Sequence, residues 1–179
     1  MALIELETQI LAPLERVFDL SRSIDAHTFS ASDSGEKAVA GTTSGLIGLG
    51  ETVTWEARHF GITQRLTVEI VEFDRPTRFV DQMVSGAFAS MRHTHCFDND
   101  GSMTIAKDKF QFSAPFGLLG RFIERLFLTS YMTRFLLRRN QALKDLAESG
   151  EWERFLSTGT EQVGAGQPEK RSESVDAPD

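Results

Sequence analysis

Over residues 2–11 the chain alternates, with Leu3, Glu5, Glu7 and Gln9 on one side and Ile4, Leu6, Thr8 and Ile10 on the other. That two-residue period predicts a half-buried strand. Ala12-Pro13 ends it. Pro13 suits the first position of a short helix whose inward residues are Leu14, Val17, Phe18 and Leu20. Ser23 and Asp25 are candidate caps for a second short helix over 24–29. A turn at 31–35 and a weak strand at 36–40 follow. From Glu51 the alternation returns in a meander over 51–60, 62–73, 79–84, 89–97 and 103–112. Gly61, Asp74-Arg75-Pro76-Thr77, Ser85-Gly86 and Asp98-Asn99-Asp100-Gly101 supply the turns between these strands.

The pattern then changes period. Residues 115–149 read as one helix of roughly 30 residues, about 45 Å at 1.5 Å per residue, closing at Ser149-Gly150. Leu119, Phe122, Ile123 and Leu126 share one face, opposite Arg121, Glu124 and Arg125. Further along, Leu128, Met132 and Phe135 stand on what had been the charged side. A helix apolar around most of its girth is buried around most of its girth. Two-sided core packing, a cavity wall and a subunit contact all satisfy that pattern.

The expected fold is α+β: a curved antiparallel sheet of about seven strands around a long C-terminal helix, with two short helices after the first strand. Residues 1–150 form the expected domain. Residues 151–179 are expected to be mostly disordered, because Gly, Glu, Ser, Pro and Lys dominate from about 157; Trp152 and Phe155 are the two side chains placed to dock.

A net charge of −7 argues against nucleic acid as a partner. The basic cluster Arg134, Arg138 and Arg139 reads as a solvated helix face or helix-end charge pairing. Cys96 is the single cysteine, so neither an intrachain disulfide nor a cysteine metal site is expected. The opening MALIELETQI lacks a basic region, and Glu5 and Glu7 interrupt its apolar residues, unlike a signal peptide. No uncharged apolar run reaches about 18 residues, so no span or stable membrane anchoring is expected. These features predict a soluble, cytoplasmic protein. The loop 41–50 has four glycines but no lysine, and a strand follows it, which rules out a phosphate-cradling loop. It is expected to expose Leu46, Ile47 and Leu49 at a pocket mouth.

His93 and His95 stand two apart on one strand and so share a face. If Leu66, Val68 and Ile70 face the helix, the other inward sets are Trp55 and His59, Phe79, Asp81 and Met83, Met91, His93, His95 and Phe97, and Asp108, Phe110 and Phe112. Buried Asp81 and Asp108 need partners, for which His93, His95, His59, Arg92 and Arg58 are candidates. His93, His95, Asp81 and Asp108 are therefore the candidate catalytic residues, with one histidine as general base. A metal site of two His and a carboxylate is the less favoured reading, because no third ligand is fixed; no metal and no cofactor are expected. The bland reading makes them hydrogen-bonded polar spots in an apolar cavity. Expected ligand contacts are Trp55, His59, Phe79, Met83, Met91, His93, His95 and Phe110 from the sheet, and Leu128, Met132 and Phe135 from the helix. Cys96 faces outward.

The element order, together with APLERVFDL after the first strand, VEIVEFDRPTRFVDQMVSG, the HTH strand with FDNDG, and DKFQFSAPFGLLG entering the helix, resembles the START-like, or SRPBCC, superfamily with its helix-grip fold. The resemblance covers about residues 2–148 and looks like a bacterial subgroup; the superfamily includes plant pollen-allergen-like carriers, lipid-transfer START domains and polyketide aromatase/cyclases. It implies that a small hydrophobic or aromatic molecule is held between helix and sheet. The motifs are architectural and imply no reaction. An enzyme of cyclase, dehydratase or hydrolase type is the first alternative. A protein-interaction module using the long helix is the second. The oligomeric state is not fixed by the sequence.

Overall fold

The computed structural model describes residues 1–31, 35–59, 61–115 and 127–156, without the His59 side chain. The expected start of the long helix, the loop core at 32–34 and the tail from 157 lie outside the described residues. Strand β1 (Ala2–Ile10) leads into α1 (Leu14–Ser21) and α2 (Ile24–Ser30). Strands β2 (Lys37–Gly41), β3 (Thr52–His59), β4 (Ile62–Asp74), β5 (Arg78–Ser85), β6 (Ser90–Asp100) and β7 (Met103–Ser113) follow, then α3 (Thr129–Glu148) and α4 (Glu153–Leu156). All seven strands form one antiparallel sheet ordered β1-β7-β6-β5-β4-β3-β2. From β2 onward consecutive strands pair with one another, and β1 adds to the sheet beside β7, leaving β1 and β2 as its two edges. The antiparallel sheet and C-terminal helix are those the hydrophobic pattern predicts, and their arrangement is the helix-grip α+β fold that the resemblance implies.

Each strand sends its apolar parity inward. Val53, Trp55, Val68, Ile70, Phe79, Met91, Phe97, Phe110 and Phe112 are all buried with Ile4, Ile10, Val17 and Phe18. Register shifts in the β4–β5 ladder, between Thr67 and Val68 and between Ile70 and Glu72, mark bulges that bend the strand. Helix α3 crosses the inner face near β1. Lys144 Nζ donates to the Gln9 carbonyl at 2.5 Å, and Leu11 N–H donates to Glu148 at 2.7 Å. Among the described residues no helix is long and apolar enough to cross a membrane.

Three local expectations are corrected. The last hairpin turns later than expected, since Asp100 pairs with Met103 and the turn is Gly101-Ser102. Gly101 takes φ +67°, which glycine adopts without Cβ strain. Ser23 does cap α2, accepting from Ala26 N–H at 3.2 Å, but Asp25 instead accepts from Gly45 N–H at 2.8 Å. That bond, with Ile24 N–H to Gly45 O and Ile47 N–H to Arg22 O, ties the Gly-rich loop to the two short helices. Ile47 is consequently buried, while Leu49 stays exposed. Trp152 and Phe155 do dock past residue 150, as expected: Arg16 lies over the Trp152 ring, and Phe155 packs on Phe29.

One surface ion cluster holds α1 to the β4–β5 turn. Asp19 accepts two bonds from Arg75, at 3.2 and 2.7 Å, and one from Arg22 at 2.9 Å. Burial pushes the Asp19 carboxyl up, but the Arg75 and Arg22 hydrogen bonds outweigh it and leave the pKa below its ordinary value. A depressed carboxylate pKa adds stability that is complete above the unfolded value and is lost as pH falls through the folded one. Asp19→Asn is therefore expected to be less stable than wild type at neutral pH. The gap should narrow below about pH 4, as read from urea midpoints across a pH series; a gap independent of pH would contradict the assignment.

Candidate functional site

The bent sheet and α3 do not close completely on each other. An inner chamber of about 100 Å³ is bounded by Ile47, Val53, Trp55, Ile70, Phe79, Met91, Phe110 and Leu136. An outer chamber of about 210 Å³ lies between Trp55, Ala57, Leu66 and Phe88 on one side and Leu128, Tyr131, Met132 and Phe135 on the other. Trp55, Leu66, Phe88, Met132 and Phe135 line both, so the two chambers lie side by side. Together they reach the lower end of the roughly 300–1,000 Å³ usual for small-molecule pockets.

The polar floor of the inner chamber follows from strand register. Asp81 on β5 pairs with His93 on β6, and His95 pairs with Asp108 on β7. Inward parity therefore puts all four side chains on one patch, close enough for direct and diagonal contacts. His93 Nε2 lies 2.8 Å from Asp108 Oδ1, and His95 Nε2 lies 3.1 Å from Asp81 Oδ2. His95 Nδ1 lies 2.9 Å from Asp108 Oδ1, and His93 Nδ1 lies 4.0 Å from Asp81 Oδ2. The imidazoles stand 3.8 Å apart, His95 stacks on Phe79, and His93 meets the Phe110 edge. From α3, Asn140 donates to Asp108 Oδ2 at 2.6 Å and to Thr8 at 3.3 Å.

The charges follow from this geometry. Both nitrogens of His95 face carboxylate oxygens, so both carry protons and the ring is an imidazolium. Burial pulls its pKa down, but the bonds to Asp108 and Asp81 overcome that and raise it. His93 goes the other way: burial and the neighbouring His95 charge lower its pKa, so it is the neutral member. Burial alone would raise Asp81 and Asp108. The histidine bonds reverse this, leaving Asp81 low and Asp108 well below the usual carboxylate range.

A second polar pair faces the same space. His27 on α2 stacks on Trp55 at 3.9 Å and bonds Glu36 at 3.2 Å. Burial, then the positive charge of Arg139, lowers its pKa. Arg139 is half-buried and lines the inner chamber, so it does not belong to the solvated face expected for the arginine cluster. Arg134 and Arg138 are exposed.

Of the expected contacts, Trp55, Phe79, Met91, His93, Phe110, Leu128, Met132 and Phe135 all line one chamber or both. His95 lies behind His93, against a small separate space with Asp108 and Asn140. Met83 packs against the core but lines neither chamber. The His59 side chain lies outside the described part of the structure. Arg92 and Arg58 do not reach the aspartates: Arg92 bonds Gln82 and Glu72, and Arg58 bonds the Gly61 carbonyl. His27, Glu36, Asn140 and Phe88 were not expected. Among the described residues of the expected long helix, Phe127 and Leu137 are the exposed large apolar side chains; residues 116–126, on which the interaction reading also rests, lie outside the described residues.

Residues 1–148 match the family described as polyketide cyclase / dehydrase and lipid transport. The chain belongs to this family. Its fold recurs in a Thermus thermophilus protein at 19% identity and TM-score 0.67, over 80% of this chain and 95% of that one. It recurs in ginseng major latex-like protein 151 from Panax ginseng at 17% and 0.59, over 83% and 98%. A START superfamily protein from Mycobacterium smegmatis aligns at 10% and 0.61, over 82% and 97%. The START-like resemblance read from the sequence is thus borne out at the level of fold. No curated protein matches the sequence.

Proposed function

We propose that this member of the polyketide cyclase / dehydrase and lipid transport family holds a small hydrophobic or aromatic molecule between α3 and the sheet. The carrying observation is the pair of adjoining chambers between helix and sheet, the outer lined mainly by apolar side chains and the inner reached by polar ones. Leu66, Leu128, Met132 and Phe135 receive the apolar body. Arg139, the His27–Glu36 pair and His93 meet a polar group at the inner end. The binding unit is residues 1–150, working in the cytoplasm.

Native mass spectrometry of the protein as purified, with denaturing extraction, tests this directly; a retained hydrophobic molecule is the expected result. The anionic aromatic probe 8-anilinonaphthalene-1-sulfonate gives a second measurement. It should bind the folded protein and quench Trp55. Met132→Trp and Leu128→Trp, whose half-buried parents face the outer chamber, should weaken the probe at least about tenfold, since a filled pocket forfeits the apolar burial that drives binding. They should leave the urea midpoint nearly unchanged. Probe affinity unaltered in both variants would overturn the reading.

A second reading is favoured by one observation. His93 is neutral, lines the inner chamber and is oriented through Nε2 by Asp108. A histidine held this way is equipped as a general base, which suits a cyclase, dehydratase or hydrolase. Turnover lost in His93→Gln while probe binding persists would support it.

A further inference from the structure

We propose that Asp81, His93 and His95 form a binding site for one divalent transition metal ion, of the class that prefers imidazole and carboxylate ligands, such as Zn²⁺, Fe²⁺ or Co²⁺. One ligand atom from each of the three residues lies within 4.8 Å of the others. His93 Nδ1 and Asp81 Oδ2 are 4.0 Å apart, and His95 Nε2 and Asp81 Oδ2 are 3.1 Å apart. Ligands about 2.0–2.2 Å from a shared tetrahedral ion stand roughly 3.3–3.6 Å apart. The three atoms therefore need only side-chain adjustment to converge.

The support behind these atoms is more specific than their spacing. A metal-bound imidazole ordinarily donates its other N–H to a carboxylate, which fixes the ring and its tautomer. Here both histidines do so through the same oxygen. His93 Nε2 and His95 Nδ1 lie 2.8 and 2.9 Å from Asp108 Oδ1. Those are the nitrogens that a metal at the three-ligand site would not use. Asp108 is itself fixed, its second oxygen taking Asn140 from α3 at 2.6 Å. Without metal, the Nε2 proton of His95 bridges to Asp81; an ion takes the place of that proton and joins the same two side chains.

Three protein ligands leave a coordination position open. Asp81 and His93 both line the inner chamber, so that position faces the proposed ligand space and the ion reaches it from there. A metal there occupies His93 Nδ1, so it replaces the imidazole as the polar agent at the chamber's inner end. The metal proposal needs no bound organic ligand, and its test reads metal alone.

The test is titration of the tag-free full chain, first stripped with a chelator, with Zn²⁺ by calorimetry and with Co²⁺ by visible absorption. Wild type should take one ion per chain, and Co²⁺ should develop the visible bands of a low-coordinate nitrogen and oxygen site. Asp81→Asn keeps the side-chain volume and an acceptor for His95, so it should stay folded by near-ultraviolet circular dichroism while losing the ion. His93→Gln should do the same. Asn140→Ala should weaken binding by about 10–100-fold through the loosened Asp108. Failure of folded wild type to bind either ion would overturn the site. So would binding that is unchanged in Asp81→Asn and His93→Gln, which would place the ion elsewhere on the surface.

Discussion

Asp108→Ala is expected to lower stability by about 3–5 kcal/mol, the usual cost of leaving a buried charge without its partner. Asp108 is nearly inaccessible and holds three groups: His93, His95 and Asn140. Its removal strands the His95 imidazolium on one side, leaves His93 Nε2 without an acceptor and frees the Asn140 amide. Phe79 packs on the His95 ring and Phe110 on the His93 ring, so the stranded groups stand in largely apolar surroundings. Urea unfolding at neutral pH measures the loss. A change under about 1 kcal/mol would mean that the charges described here do not exist in the folded protein.

Asp108→Asn separates charge from shape. It keeps an acceptor for one histidine but removes the negative charge that sustains His95 as a cation, so an intermediate loss is expected. Removing the histidine as well should recover part of the cost. The double variant Asp108→Ala/His95→Ala is expected to be more stable than the sum of the single losses by about 1–3 kcal/mol, since the two residues belong to one network. Strict additivity would argue that the histidine pairs chiefly with Asp81. Replacing the whole cluster by a well-packed apolar patch of similar volume is expected to cost far less than removing one member, because no charge is then left buried without its partner.

Much of this site was legible because strands expose their parity. Alternation alone put His93, His95, Asp81 and Asp108 on one face, and the cost of burying carboxylates required partners among them. Which nitrogen meets which oxygen was not legible, because that depends on the register of β5, β6 and β7, which the strand pattern leaves free by two residues. Asn140 lay further out of reach. It comes from a helix 32 positions away from Asp108, although a polar residue in the stripe Leu136, Asn140, Leu143 and Ala147 was a signal that something polar faced it. His27 sits one turn past the Ser23 cap, and only the packing of α2 over β3 reveals that it stacks on Trp55. Ile47 misled in the opposite direction. Glycine-rich composition suggests exposure, but backbone bonds to Arg22 and Ile24 draw that loop inward.

Phe18→Ala is the other large effect, expected to cost about 3–5 kcal/mol. Phe18 is fully buried on α1. It meets Phe73, Phe79 and Phe97 edge-on, with centroids 5.5, 5.6 and 5.5 Å away. Each such pair adds roughly 0.5–1.5 kcal/mol beyond area burial, which places the loss toward the upper end of the range. Phe18 also bears on the site, because Phe79 is the ring on which His95 stacks at 4.3 Å. Phe18→Leu, which keeps apolar volume without the edge contacts, should cost clearly less than Phe18→Ala. If the aromatic layer sets the position of His95, then Phe18→Ala should shift the His95 ring resonances by NMR even where the protein remains fully folded, while those of His27, across the cavity on α2, stay in place. Resonances unmoved at both histidines would show that the strands alone position the cluster, and that the phenylalanines beneath it stabilise the fold without shaping the site.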